Sequence, residues 1–414
     1  MFPAVQNLHI VVREKIVEMQ RKASFSSRTA WDVTESELAR ALRERREAGQ
    51  PLLDLTASNP TQCGFVYDEA AILKALQDTK ALVYDPDPRG IVSAREAVAT
   101  YYVSHGAAIS SERIFLTTST SEAYSYLFRL LADPGDEVLI AQPSYPLFDF
   151  LAQLDDVRLT PYPLFYDHGW QIDLESLKQR ITPKTRAIAL VHPNNPTGHF
   201  TGSDERRALE SLCAEYGLAL IVDEVFLDYG LTGSKAESFA IGEHPALTFV
   251  LSGLSKIAAL PQMKAAWIAA FGPDGEVQPA LERLEVVADT FLSMNAPVQR
   301  ALPTWLAGRQ DIQRQIMARL TENLTMLDSA LRARGMVSRL EVEAGWYVIL
   351  RVPALALDEE LAVRLIQESG VSIHPGRFFG FPESGWLVLS LLTPAPEFCR
   401  GVEAILRTFS DLQG

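Results

Sequence analysis

Cysteine is scarce in this chain. Only Cys63, Cys213 and Cys399 occur in 414 residues, odd in number and far apart, which excludes a disulfide framework and a C-x-x-C zinc site. Long apolar runs are missing as well. Near the N-terminus the longest is Leu8 to Val12, with His9 inside it and Arg13, Glu14 and Lys15 directly after, too short for the core of an export signal. No later stretch approaches the about 20 apolar residues that a spanning helix needs. Positive charge is also in deficit: Lys plus Arg number 38 against 52 Asp plus Glu, a formal charge of −14. So acidic a chain gains nothing from approaching nucleic-acid phosphates or an anionic membrane. A reducing cytoplasm, with no nucleic acid and no membrane as partners, is the expectation. His168, His192, His199 and His374 lack metal-ligand spacing, so no metal site is expected. Internal repeats and low-complexity tracts are absent, which excludes a solenoid.

What is present is the composition of a globular protein: 47% hydrophobic and 22% charged residues, in a length that suggests two or three folding units. Short apolar runs recur between helical patterns: Ile114 to Thr117, Glu137 to Ala141, Ala187 to Val191, Leu218 to Val222, and Thr248 to Ser252. They show no polar alternation, as expected of strands whose two faces are both covered by helices. From Pro297 to Arg334 the pattern is continuously helical, and strands follow at Trp346 to Arg351, Val371 to His374 and Trp386 to Leu392. The expected fold is α/β: a large domain with a mostly parallel sheet covered by helices on both faces, plus a smaller α+β domain from the N- and C-terminal parts. The boundaries are 1–70 for an N-terminal arm and part of the small domain, 71–305 for the large domain and 306–414 for the rest of the small one.

Ligands of such sheets bind beyond the carboxyl ends of the strands. After the first run, Thr118-Ser119-Thr120-Ser121 opens a helix, and free N–H groups with hydroxyls at a helix start favour an anion. After the third comes His192-Pro193-Asn194-Asn195-Pro196-Thr197-Gly198, a tight turn presenting two amides. The fourth ends in Asp223, a buried carboxylate able to hold a protonated nitrogen. The fifth leads to Ser255 and Lys256. A lysine directly after a buried strand has its ammonium disfavoured by burial, which suits it to bond with a carbonyl carbon.

This order of segments, from Leu53 to Leu406, resembles the fold-type I pyridoxal-phosphate enzymes, specifically the class I/II aminotransferases. The resemblance implies pyridoxal 5'-phosphate as cofactor, with Thr120, Ser121, Ser255 and Lys264 on its phosphate side. It implies Tyr145 of the P-S-Y-P segment stacked on the pyridine ring, Asn195 at the phenolic oxygen, Asp223 at the ring nitrogen, and Lys256 as the catalytic Schiff-base lysine. Tyr84, in Tyr84-Asp85-Pro86-Asp87-Pro88-Arg89-Gly90, matches a tyrosine that reaches the other subunit's cofactor, so a homodimer is implied. The implied partners are a small-molecule amino donor, an amino acid or amine, and a 2-oxo acid acceptor, in a ping-pong exchange.

Three positions depart from the family pattern. Lys264 stands where an arginine is usual, and lysine neutralises a phosphate without a bidentate grip. Phe226 replaces a tyrosine, removing a hydroxyl unless Tyr229 substitutes. Val388 replaces the strand arginine that binds the substrate carboxylate. Arg377, in His374-Pro375-Gly376-Arg377-Phe378-Phe379-Gly380, is the preferred replacement, with Asn59 and Arg351 as further candidates. The altered carboxylate position keeps a decarboxylase or lyase on the same fold as the second reading, and a non-catalytic effector sensor as a third.

Overall fold

The computed structural model describes residues 25–411 except 232, 234–236, 293 and 333–335. The first 24 residues of the expected arm lie outside it. Strands are numbered along the chain. The large sheet takes β2 to β9, and its surroundings take β1 (Leu53–Asp54) before it and β10 to β14 after it. The large-sheet strands are β2 Ile114–Thr117, β3 Glu137–Gln142, β4 Arg158–Tyr166, β5 Trp170–Ile172, β6 Thr185–Val191, β7 Ala219–Asp223, β8 Thr248–Gly253 and β9 Ala266–Phe271. The later ones are β10 Ser338–Arg339, β11 Tyr347–Arg351, β12 Val371–Ser372, β13 His374–Pro375 and β14 Trp386–Ser390.

The large sheet runs β2-β9-β8-β7-β6-β3-β4-β5. Its centre, β8-β7-β6-β3-β4, is parallel, and β9 and β5 run antiparallel to their neighbours. The uninterrupted apolar runs have their expected cause. Successive residues of β6 enter opposite cores: Ile188 and Leu190 join one cluster, Ala187, Ala189 and Val191 the other. Helices Val92–Ser104, Ser203–Tyr216 and Ala296–Ala307 cover the first face; Thr120–Leu131, Leu147–Leu154 and Asp274–Thr290 cover the second. Because a strand buried on both sides has no polar face, periodicity alone could not have separated it from a buried helix.

Two strands were hidden by their composition. β4 contains Pro161 and Pro163, which lack the N–H a ladder uses and so mask a strand in the sequence. β9 reads as part of the segment after Lys256, yet it closes the sheet between β2 and β8. Elsewhere the structure subdivides what the sequence joined. The helical stretch breaks at Gly308 into Ala296–Ala307 and Arg309–Arg332. Val371 to His374 splits between two partners, β12 pairing with β1 and β13 with β14.

The small antiparallel sheet runs β10-β11-β14-β13. Its register sets Tyr347 opposite Ser390, Ile349 opposite Val388 and Arg351 opposite Trp386. The loop after β1 docks on it: Ser390 N–H donates to the Leu55 carbonyl (2.7 Å), Thr393 Oγ1 to that of Asp54 (2.9 Å). Arg319, on helix Arg309–Arg332, donates to the carbonyls of Cys63 and Leu392, both at 3.3 Å, and so holds that loop against the strand end. Among the described residues no helix is long and apolar enough to cross a membrane.

Candidate active site

The turn from β2 into helix Thr120–Leu131 is a reciprocal cap. Ser119 Oγ accepts from the Glu122 N–H at 3.1 Å, while the Glu122 carboxylate accepts from Thr118 N–H (2.6 Å) and Thr118 Oγ1 (3.1 Å). The hydroxyls of Thr120 and Ser121, both half-buried, are left without a protein partner among the described residues, and so are their N–H groups. An unpartnered first turn at the positive end of a twelve-residue helix is a place for an anion.

After β6 the chain makes the turn Asn194 to Gly198. Asn194 Oδ1 accepts from Thr197 Oγ1 (2.9 Å), and the Gly198 N–H closes the turn on the Asn194 carbonyl (2.8 Å). With Asn194 used internally, Asn195 is free to face inward: it is buried, and its Oδ1 has no partner. Gly198 has φ +70°, and a Cβ there would strike the Ala344 carbonyl and lie 2.5 Å from Val342 Cγ2. The turn is therefore pressed onto segment 342–344, just before Trp346.

Asp223 ends β7, beside Leu251 of β8 in the sheet register. Burial pushes its pKa up from 3.8 to about 7, against the pull of the Val225 N–H (3.1 Å), the Lys256 ammonium and the nearby Tyr124 hydroxyl. Tyr124 Oη is buried and faces the Asp223 carboxylate. Lys256 lies on the short helix Leu254–Ile257 directly after β8. Burial lowers its pKa from 10.5 to about 8, while Asp223 and Cys63 act to raise it. A carboxyl pushed up and an amine pushed down, at the ends of adjacent strands, is the signature of a site that moves protons near neutral pH.

The walls around Lys256 are aromatic. Its Nζ lies 4.7 Å from the centroid of Trp346 and 5.6 Å from that of Phe226. Tyr347 packs edge-on to Phe226 (6.5 Å) and to Phe379 (6.2 Å). Tyr145 is half-buried, its hydroxyl pKa raised by burial. Ser144 N–H donates to the Phe379 carbonyl (2.9 Å), and Gln142 Nε2 to that of Gly380 (2.7 Å), so the small sheet's turn is tied to the P-S-Y-P segment.

The structure thus gathers Asn195, Asp223 and Lys256 in one region and sets the Thr120/Ser121 helix start at the carboxyl end of the same sheet. Ser255 is half-buried beside Lys256. Lys264 is exposed in a left-handed backbone conformation, φ +52°. Tyr84 is 78% exposed in its own protomer, outside the pocket. Asn59 uses its amide oxygen locally, accepting from Thr61 N–H (3.2 Å) and Oγ1 (2.7 Å).

Arg377 has a side chain 56% exposed that pairs with Glu359 at 3.6 Å. Phe379, two residues on and buried, is the member of that turn that packs on Tyr347. Arg351 donates to the Ser384 carbonyl (3.2 Å) and lies over Trp386 (4.1 Å). Tyr229 does not replace the hydroxyl missing at Phe226, since it donates to the Lys256 carbonyl at 2.6 Å. Sequence reading missed Trp346, Tyr347 and Tyr124. Only Tyr124 left a signal, three residues after Ser121 on the same helix face.

A mostly parallel sheet with this order, a small antiparallel sheet beside it and a lysine after β8 define the fold-type I aminotransferase architecture. Solved structures agree: an aminotransferase from Escherichia coli superposes with TM-score 0.84 at 24% identity, covering 94% of this chain and 98% of that one. Alanine aminotransferase from Pyrococcus furiosus gives 0.83 at 22% identity, covering 91% and 96%. At such identities the likeness establishes the fold. The sequence pattern of the family Aminotransferase class I and II matches residues 31–405, and the chain belongs to that family. Its activity is amino-group transfer. The relatives it resembles include the glutamate-pyruvate aminotransferase AlaA of Escherichia coli (strain K12), 25% identical over 368 residues, 87% of this chain and 91% of that protein. Another is the alanine aminotransferase of Mycobacterium tuberculosis (strain ATCC 25618 / H37Rv), 27% identical over 365 residues, 86% of this chain and 85% of that one.

Proposed function

We propose that this aminotransferase works with pyridoxal 5'-phosphate held by Lys256, exchanging an amino group between an amino acid or amine and a 2-oxo acid in two half-reactions. The residues fit that cofactor by the polar groups they leave unpartnered inside: Asn195 Oδ1 and the Thr120/Ser121 helix start. Thr120 and Ser121, with Ser255 and Lys264, would take the phosphate; Tyr145 the ring face; Asn195 the phenolic oxygen; Asp223 the ring nitrogen; Lys256 the carbonyl carbon. When bound, the cofactor supplies an electron sink for the substrate carbon that loses its proton.

The chain's own residues supply the rest. Asp223, destabilised as a lone buried anion, favours a protonated nitrogen beside it. The Lys256 amine, with its pKa lowered to about 8, gives up its proton near neutral pH and serves as the base that takes the proton from the substrate's α-carbon. Trp346, Phe226 and Tyr347 exclude water from that transfer. The placement of Asp223 and Lys256 on adjacent strand ends, where burial disfavours the charge of each, is the observation that carries this reading.

Exposed Leu82, Val83 and Tyr84, 88%, 64% and 78% accessible, support a homodimer in which Tyr84 serves the neighbouring protomer's phosphate. The domain limits 71–305 and 306–414, with 1–70 joining the small unit, complete the proposal, and a cytoplasmic location goes with it. A decarboxylase or lyase outcome on the same residues is the second reading. It is favoured by the buried, uncharged pair Ile349 and Val388 on the strand face shared with Tyr347.

Borohydride reduction followed by peptide mapping tests the reading: the pyridoxyl group is expected on Lys256. A label on Lys264 would overturn it. Product analysis with an amino donor separates transfer, which yields a carbonyl compound, from decarboxylation, which yields carbon dioxide.

A further inference from the structure

His199 follows directly on the turn that presents Asn195, and its ring is buried between two carboxylates from different parts of the fold. Nε2 lies 3.0 Å from Glu205 Oε2, and Nδ1 3.4 Å from Glu343 Oε2. Glu205 belongs to the first turn of helix Ser203–Tyr216, packed on the large sheet. It is anchored there by accepting from Gly202 N–H and Ile172 N–H, both at 2.8 Å. Glu343 belongs to the segment that enters β11 of the small sheet, and it accepts from Phe200 N–H at 2.9 Å. Three residues after Glu343 stands Trp346, whose ring lies 4.7 Å from Lys256 Nζ. Four residues before His199 stands Asn195. The imidazole therefore sits where the wall made by the turn meets the wall made by the Trp346 segment.

We infer that His199, bridging Glu205 and Glu343, is a positioning residue that fixes the Asn195 turn against the Trp346 segment and so sets the width of the Lys256 pocket. The inference rests on the proposed role of Lys256 for its functional consequence, but the bridge itself does not.

The charges around the ring agree. Burial opposes the imidazolium, yet the hydrogen bond to Glu205 and the ion pair with Glu343, whose geometry falls short of a hydrogen bond, outweigh it and raise its pKa from 6.5 to about 9. Both carboxylates are in turn held below their ordinary value by His199 and by backbone N–H groups, although burial opposes this. The other titratable group facing His199 is His192 at the end of β6, neutral because burial lowers its pKa to about 3. It is fully engaged, with Nε2 at the Glu237 carbonyl (3.1 Å) and Nδ1 accepting from Thr201 N–H (3.2 Å). Arg206 lies beyond it and is occupied by Glu210 at 2.8 Å.

The pH sense follows from linkage. A raised histidine pKa gives a contribution that is complete below the ordinary value of 6.5 and is lost as pH rises through about 9. The two lowered carboxylates give contributions present above their ordinary value of 4.5 and lost below it. The bridge is whole between those limits.

The test compares the holoenzyme with His199→Gln and Glu343→Gln, each carrying 15N-labelled histidine. One imidazole is expected to titrate near pH 9 in the parent, to vanish from the His199→Gln spectrum, and to fall by roughly one unit or more in Glu343→Gln, which removes one of two opposing charges. Cofactor release after dilution is expected to quicken about fivefold or more in both variants at pH 7.5, the effect of losing one charge-assisted contact. In the parent, release should quicken as pH passes 9, whereas in His199→Gln it should be flat there. Should His199→Gln fail to fold, Glu343→Gln carries the test, since it leaves the Glu205 contact intact and only neutralises a side chain that is 44% exposed. A His199 midpoint near 6.5, or release unchanged in Glu343→Gln, overturns the inference. Failure of borohydride to label Lys256 would instead defeat the cofactor reading, with the imidazole titration still deciding the bridge.

Discussion

Replacing Gly198 by alanine separates two demands that the Asn195 turn places on one position. The first is conformational: φ is +70°, and an L-residue there costs about 1–2 kcal/mol. The second is steric, because the added Cβ meets the Ala344 carbonyl and sits 2.5 Å from Val342 Cγ2. That backbone cannot retreat freely, being bridged to Gly230 through Ala344 and held by Gly345 N–H on the Tyr229 carbonyl at 2.9 Å. Overpacking of a well-packed contact costs about 1–3 kcal/mol, so Gly198→Ala should lose about 2–5 kcal/mol in all. Gly217→Ala is the control. Gly217 caps helix Ser203–Tyr216 at φ +64° with nothing within 4 Å of an added Cβ, so it should lose only the conformational part, about 1–2 kcal/mol. Urea unfolding of both variants gives the two losses directly. Cofactor retention adds a second readout, expected to fall at least about tenfold in Gly198→Ala alone if about 1.4 kcal/mol of the strain reaches the pocket. Equal losses in the two variants would show that the contact with segment 342–344 relaxes freely, and the argument that this segment braces the turn would be wrong.

Phe226→Tyr restores a hydroxyl facing Lys256 Nζ, now 5.6 Å from the Phe226 ring. The visible band of the holoenzyme should then titrate at lower pH than in the parent, and equal midpoints in a spectrophotometric titration would mean another donor already serves. Asp223→Asn removes a charge that raises the Lys256 pKa against burial. The amine should then titrate below about 8, read from the pH dependence of acylation of Lys256 in cofactor-free protein. Arg377→Ala cuts only an exposed pair with Glu359, so kcat/KM with any donor should change less than about twofold. A tenfold loss would return Arg377 to the substrate site.

The class of fold was legible in the sequence because it depends on local matters. Apolar runs such as Ala219 to Val222 can be satisfied only by burial on both faces, and the residues after such strands fall at the carboxyl edge whatever the rest of the chain does. Asn195, Asp223 and Lys256 were singled out that way as site candidates, before any side chain was located. Strand β4 was not, because Pro161 and Pro163 contradict its local signal and only pairing with β3 and β5 makes it a strand. Nor was the pairing of Arg377 with Glu359, which lies on a different helix. The pocket's walls were the least legible. Trp346 meets Lys256 across 90 residues of chain, and His199 meets Glu343 across more. No periodicity records such encounters, since they arise where the small sheet packs on the large one and the loops of the two meet. The sequence by itself determined the central strands β2, β3, β6, β7 and β8 and which residues stand at their carboxyl edge; the packing of the small sheet on the large one decided which side chains enclose them.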